Sequence, residues 1–407
     1  MGRTPFDLAD IVRRHRPELE QIQPLTPAQG RALSAISLCR TAALGGHVNV
    51  CPGCAWSESP SYNSCRNRHC PKCQNLAQER WIANRAEAIL PIPHFHGVLT
   101  LPEDLRPLAR RHPREILGAM FQCAQAAFLE LGESRLGATL GLTLVLHTWT
   151  RDLRYHPHVH VLVTAGGLAL NGERFKRARE KFLLPVKPLA RLFRGKMMAA
   201  LRRLQEEGQI ALSAGASGAM LASLARQEWV AYLKRAFCSP QWVLQYLGRY
   251  THRVGIANSR LLNVTAEEVT FRTKCGRQVT LTPVAFLQRF VLHILPGRFK
   301  KIRHAGLYAS PKALAQARTF LSPAPPLAGK PPTWEEALLA HTGQDVTRCR
   351  SCGERLHRWA LPSCFRGFHR PELAPWTVPR AFHLFAKKPV DLCRLIWYKE
   401  RSFWGRL

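Results

Sequence analysis

At 407 residues with 46% hydrophobic side chains, the chain is long enough for two or three domains with cores of their own. Its 59 Lys and Arg against 27 Asp and Glu leave a formal charge of +32, which favours a polyanionic partner over a small-molecule substrate. The longest uncharged runs, Gln209–Ala225 and Leu136–Thr150, are too short or too weakly apolar to cross a bilayer, and the N-terminus lacks an apolar signal core. A cytoplasmic, nucleic-acid-facing protein with no membrane partner is expected. In that reducing compartment thirteen cysteines point to metal ligands before disulfides.

Along the chain, residues from about 5 to 45 carry apolar positions at helical spacing. Cysteines follow. Cys51 and Cys54 are separated by fifteen residues from Cys70 and Cys73, a C-x2-C-x15-C-x2-C pattern. Each short turn offers two thiolates to one ion, so the four predict a tetrahedral structural zinc site. Cys39, His47, Cys65 and His69 offer a second, interleaved zinc site, although Cys65 and His69 also fit as mere flanks of the first. Arg66, Arg68 and Lys72 surround these ligands and are placed to meet phosphates.

NLAQERWIANRAEAIL then predicts a helix, PHFHGVLTLP a strand from Phe95 to Leu101, and REILGAMFQCAQAAFLELG an amphipathic helix. TLGLTLVLHTW and HVHVLVTAGG predict two strands pairing as a hairpin. On the second, alternation puts His158 and His160 on one face and Val159 on the other. Two such imidazoles are half a metal site, or simply a surface strand rich in histidine. A basic helix, LARLFRGKMMAALRRLQEEG, comes next. In QYLGRYTHRV, Tyr246 and Tyr250 stand four residues apart, one face of a helix if the segment is helical. They read either as nucleophiles or as an aromatic packing pair, and Gly248 between them is unexpected for a purely structural helix. EEVTFRTKCGRQVTLTP predicts a hairpin turning at Cys275-Gly276, PVAFLQRFVLHIL a helix, and PGRFKKIRHAG a basic segment with Lys300, Lys301 and Arg303. Five prolines near 322–332 mark a linker, and the tail beyond carries a further C-x2-C, Cys349 and Cys352. The order of elements predicts an α+β fold rather than repeated βαβ units.

The motifs GGHVNVCPGC, YNSCRNRHCPKCQ, LHTW, HPHVHVLV and YLGRYTHRV, in that order, resemble the rolling-circle transposases of the insertion-sequence-91 family, which are HUH endonucleases of the two-tyrosine type. The resemblance spans roughly Cys39 to Leu307. It implies a helical and zinc-binding DNA-recognition domain at 1–88, an HUH nuclease domain with a central antiparallel sheet flanked by helices at 89–320, and a Pro-rich linker with a basic C-terminal region at 321–407. His158 and His160 would be the HUH motif holding Mg or Mn, and His147 on the neighbouring strand the third ligand, favoured over His156 and His96. Imidazole softness favours Zn, Mn or Cu over Mg. Tyr246 and Tyr250 would attack the DNA and form a 5′-phosphotyrosine intermediate, with Arg249 and Arg253 beside them on the phosphates. The implied partners are single-stranded DNA, transposon-end hairpins and target DNA, on the bacterial nucleoid.

Three rivals stand beside this reading. A plasmid or phage replication initiator or relaxase would share the fold and the chemistry. A zinc-dependent metallohydrolase would want carboxylate ligands, and a chain with 27 acidic residues offers few. A zinc-containing architectural protein would leave the joint presence of the histidine and tyrosine motifs unexplained.

Overall fold

The N-terminal helices begin where side chains satisfy the first backbone amides. Asp7 accepts from Ala9 N–H at 3.0 Å at the start of α1 (Leu8–Ile22). Thr26 and Gln29 exchange side-chain hydrogen bonds of 2.9 and 3.3 Å with each other's backbone amides at the start of α2 (Pro27–Ser37). The structure, a computed structural model, describes residues 5–86, 88–211, 214–237, 248, 255–273, 275–321 and 332–363. Tyr246, Arg249, Tyr250 and Arg253 lie outside the described residues.

The chain divides into two units, the larger formed by residues 1–37 and 65–347 and the smaller by 38–64 and 348–407. In the larger unit α3 (Asn75–Ala86) leads to β3 (His94–Thr100), α4 (Arg106–Arg111) and the long α5 (Pro113–Leu136). The strands β4 (Ala138–Trp149) and β5 (Tyr155–Ala169) follow as a hairpin, then β6 (Phe175–Arg177), α6 (Val186–Glu206), α7 (Ala214–Arg226) and β7 (Ala231–Phe237). Next come β8 (Leu261–Val264), β9 (Val269–Arg272), β10 (Gln278–Leu281), α8 (Pro283–Val291), β11 (Ile302–Gly306), α9 (Pro311–Thr319) and α10 (Trp334–Thr342).

The central sheet runs β11-β4-β5-β3-β7, with β6 on β5, and every pairing is antiparallel. The expected α+β class with a central antiparallel sheet is therefore observed. Period-two alternation decides its two faces. Val159, Val161 and Val163 of β5 and Leu142, Leu144 and Leu146 of β4 pack with Phe121, Ala124 and Phe128 of α5 and with Phe193 and Met197 of α6. On the opposite face Ala86 of α3 and Ile89 beyond its end, with Trp81 and Ile82 of α3 beside them, meet Val145 and Leu162. Strands β8, β9 and β10 form a separate three-stranded sheet that includes the hairpin expected at Cys275-Gly276.

The smaller unit is built on β1 (Gly46–Val50), which pairs with β2 (Ser61–Tyr62) on one side and with β12 (His357–Leu361) along its whole length on the other. Consecutive domains at 1–88, 89–320 and 321–407 are thus not how the chain is divided. Helix α1 packs against α8 within the larger unit, and the strand after the Pro-rich stretch returns to the strand before Cys51.

Candidate active site

The register of the β4–β5 hairpin sets His147 opposite His158 and Val145 opposite His160. One ring nitrogen from each of His147, His158 and His160 lies within 4.8 Å of the others. His147 is buried, with its ring stacked on Trp149 at 4.7 Å between centroids. His158 Nδ1–H donates to the carbonyl of His156 at 2.7 Å, which fixes its tautomer and leaves Nε2 as the ligand atom. His160 Nδ1 lies 2.8 Å from His96 Nε2 on β3. Burial holds His158 down at about 4, so the ring stays neutral, with a lone pair to offer, at neutral pH.

His156 belongs elsewhere. Between His147 and Trp149 the register shifts, Trp149 pairing with Tyr155, so β5 carries one more residue than β4 across that step. Pro157, which has no N–H to give a ladder, sits in this bulge. An Arg106 guanidinium N–H donates to His156 Nδ1 at 3.0 Å and takes up that lone pair.

The tip of the hairpin is held by three consecutive carbonyls. Arg151 O accepts from Arg260 at 2.6 Å, Asp152 O from Arg289 of α8 at 3.1 Å, and Leu153 O from His293 Nε2–H at 3.1 Å. Leu153 is fully buried at a φ of 63°, a left-handed conformation that needs such support in a residue with a branched side chain. His293 Nδ1 in turn accepts from the Thr148 hydroxyl at 3.2 Å, beside His147. The histidine face therefore sits on rigid strands with a pinned turn. Gly248, the one described residue between 238 and 254, is helical and buried against α3. A Cβ there would stand 2.3 Å from Ile82 Cδ1, so a larger residue would require the Ile82 side chain to move.

The cysteines are grouped differently from the expected Cys51, Cys54, Cys70 and Cys73 site and from the second set offered beside it. In the smaller unit Cys51 and Cys54 join Cys349 and Cys352, all four sulfurs within 4.8 Å of one another. In the larger unit Cys70 and Cys73 gather with Cys65, their sulfurs likewise within 4.8 Å. Spacing alone favoured pairing the two C-x2-C turns, but Cys65 lies nearer Cys70 along the chain, and β12 carries the second pair to Cys51 and Cys54. Among the described residues, neither histidine offered for the second zinc site joins a thiol group. His69 accepts from Leu295 N–H at 3.3 Å through Nε2 and lies 3.1 Å from Asn67 through Nδ1, while His47 stands in β1 opposite Ala360. Cys39 is buried in the smaller unit. Cys349 and Cys352 are the ligand-type residues whose partners sequence spacing missed, their one signal being the matching C-x2-C.

The basic residues singled out for DNA also differ among themselves. Arg68 is committed to the carbonyls of Phe299 at 2.5 Å and Pro296 at 3.0 Å, with burial lowering its pKa. Lys72 pairs with Asp7. The Arg303 guanidinium lies 4.4 Å from the Phe121 ring centre, and burial pushes Lys301 down to about 7. Arg66 and Lys300 are exposed. Among the described residues no helix is long and apolar enough to cross a membrane.

Three imidazoles without a carboxylate among them fit a divalent first-row ion, and the all-sulfur groups fit zinc. A family model described as "Putative transposase" matches residues 141–315, the histidine hairpin included, and one described as "Transposase zinc-binding domain" matches residues 11–101, which supports structural zinc. The "Putative transposase y4qJ" of Sinorhizobium fredii is 36% identical over 86% of this chain and 94% of its own length. The "Transposase for insertion sequence element IS801" of Pseudomonas savastanoi pv. phaseolicola is 30% identical over 72% of this chain and 74% of its own length. No solved structure matches. With both halves of the chain matched in this way, and a relative at 36% identity covered over 94% of its length, the chain belongs to the IS91-type transposase family.

Proposed function

We propose that this transposase nicks and rejoins single-stranded DNA at transposon ends during rolling-circle transposition in the cytoplasm, on nucleoid DNA. In this reading His147, His158 and His160 hold Mg or Mn, and Tyr246 and Tyr250 are the nucleophiles. The observation that carries it is the convergence of three imidazoles on one sheet face in a chain of net charge +32. When bound, the ion withdraws charge from a non-bridging oxygen of the scissile phosphate. A tyrosine oxygen then forms a bond to phosphorus, the bond to the 3′ oxygen breaks, and the phenol proton is lost while the leaving 3′ oxygen gains one. The product is a 5′-phosphotyrosine whose phenolic leaving group keeps the strand ready for rejoining.

Exposed cations such as Arg66 and Lys300 would track the DNA backbone and its end hairpins.

The test is incubation with a single-stranded transposon-end oligonucleotide and Mn. A covalent protein–DNA adduct should form, survive denaturation, and map to Tyr246 or Tyr250. The His158→Ala, His160→Ala double variant and the Tyr246→Phe, Tyr250→Phe double variant should form none. Cleavage without an adduct would instead indicate a metallohydrolase, and an adduct on any other residue would remove the two-tyrosine assignment.

A further inference from the structure

Two turns of the smaller unit are built alike. In the first, Cys51 N–H donates to Trp56 O at 2.8 Å and Ala55 N–H to Cys51 O at 3.1 Å. In the second, Cys349 N–H donates to Glu354 O at 2.8 Å and Gly353 N–H to Cys349 O at 2.9 Å. The residue after the second cysteine is left-handed in both, with φ of 57° at Ala55 and 75° at Gly353. Glycine takes that conformation readily, whereas alanine takes it at a cost that some other interaction must offset. Each turn is closed by an equivalent backbone bridge, Val50 with Ser57 and Arg348 with Arg355. Across the pair, Cys51 Sγ lies 3.3 Å from Cys352 Sγ, and Cys54 Sγ 3.6 Å from Cys349 Sγ.

We infer that Cys51, Cys54, Cys349 and Cys352 form one closed tetrathiolate zinc site. Its two halves come from parts of the chain 295 and 301 residues apart. Two matched turns, each aiming a pair of sulfurs at one centre, are what a tetrahedral soft-ligand ion requires, and an all-thiolate set with no open position suits a structural role. The zinc-binding region matched by the family model ends at residue 101, so Cys349 and Cys352 lie far outside it. The C-terminal turn thereby becomes half of the N-terminal zinc module, and β12 lies along β1 as a consequence. The inference stands whether or not the nuclease reading holds.

Zinc content of the full-length purified chain tests it. Cys51→Ser, Cys54→Ser and Cys349→Ser, Cys352→Ser should each lose one zinc per chain, and the quadruple variant should lose that same one. Full zinc retention in the Cys349, Cys352 variant would overturn the inference, and so would a loss of two ions in the quadruple variant. Cys352→His guards against simple misfolding, because it replaces one ligand by another at an exposed position. In the cobalt-substituted protein it should keep the metal, shift the visible bands and weaken the thiolate-to-cobalt absorption that imidazole sites lack. An unchanged spectrum would also overturn the assignment.

Discussion

His96 Nε2 stands 2.8 Å from His160 Nδ1, and the two rings stack at 5.1 Å, so the neighbouring strand β3 supports the histidine group from the side. A His160 that presents Nε2 to an ion carries its proton on Nδ1 and donates it to His96. His96→Phe removes that acceptor and should weaken Mn binding by about 10–100-fold, while His96→Gln, which keeps an acceptor, should retain most of it. Calorimetric Mn titration of the two variants separates loss of the hydrogen bond from loss of the ring. Native affinity in His96→Phe would mean that His160 is oriented by something else.

Gly248→Ala should destabilise the chain by about 1–3 kcal/mol, because the new methyl overlaps Ile82 Cδ1 and Cγ1. Ile82→Ala clears both atoms, so the double variant should show a coupling energy of opposite sign to the clash. Urea unfolding of the two single variants and the double variant measures it. Strict additivity would show that the two residues are not in contact in solution.

Stability should fall in acid through a buried chain of hydrogen bonds. Leu90 N–H donates to Tyr308 Oη at 3.3 Å, the Tyr308 hydroxyl donates to His94 Nε2 at 2.6 Å, and His94 Nδ1–H donates to Ile92 O at 2.8 Å. Burial lowers His94 from 6.5 to about 4, and it lowers His293 to about 4 as well. Unfolded imidazoles take up protons at higher pH than these folded ones. Their contribution is therefore complete above 6.5 and lost progressively as pH falls toward about 4. Urea midpoints should be flat above neutrality and drop across that window. Tyr308→Phe strands His94 Nε2 and should cost about 1–3 kcal/mol at neutral pH.

Arg68 and Lys300 should separate structural from electrostatic roles. Arg68→Ala strips hydrogen bonds from Phe299 O and Pro296 O and should cost about 1.5–3 kcal/mol of stability, leaving the salt dependence of DNA binding unchanged. Lys300→Ala and Arg66→Ala, at exposed positions, should leave stability alone and lower the slope of log affinity against log salt by about 1 each. A slope change in Arg68→Ala comparable to that in Lys300→Ala would return Arg68 to the DNA interface.

Period-two alternation around Val159 and Val161, beside the apolar run of β4, was enough to read the histidine hairpin from sequence, because burial of one face leaves a strong local signal. The strands at the sheet edges were harder. β11 lies inside a basic segment, and Arg303 and His304 look like loop residues until the neighbouring β4 is known to take their backbone groups. Helix α7 was hidden in an uncharged Ala, Gly and Ser run with little amphipathic pattern. The bulge at Pro157, which withdraws His156 from the other histidines, depends on register between two strands and has no one-dimensional signature. Partnering of Cys51 and Cys54 with Cys349 and Cys352 is likewise a matter of which strand lies beside β1, and spacing along the chain carries nothing of it.

The matched turns bear on how the protein is made. Chains grow at about 5–20 residues per second, so the 295 positions separating Cys54 from Cys349 correspond to about 15–60 s of synthesis. Throughout that interval the nascent chain carries an open pair of thiols near its start, able to hold a soft ion only loosely. The whole histidine sheet leaves the ribosome before the ion can be enclosed. The Cys51 and Cys54 group then waits for residues 349–352 to be made, unlike Cys65, Cys70 and Cys73, which lie together near the start, and a chain released short of residue 349 keeps only half of that four-sulfur group.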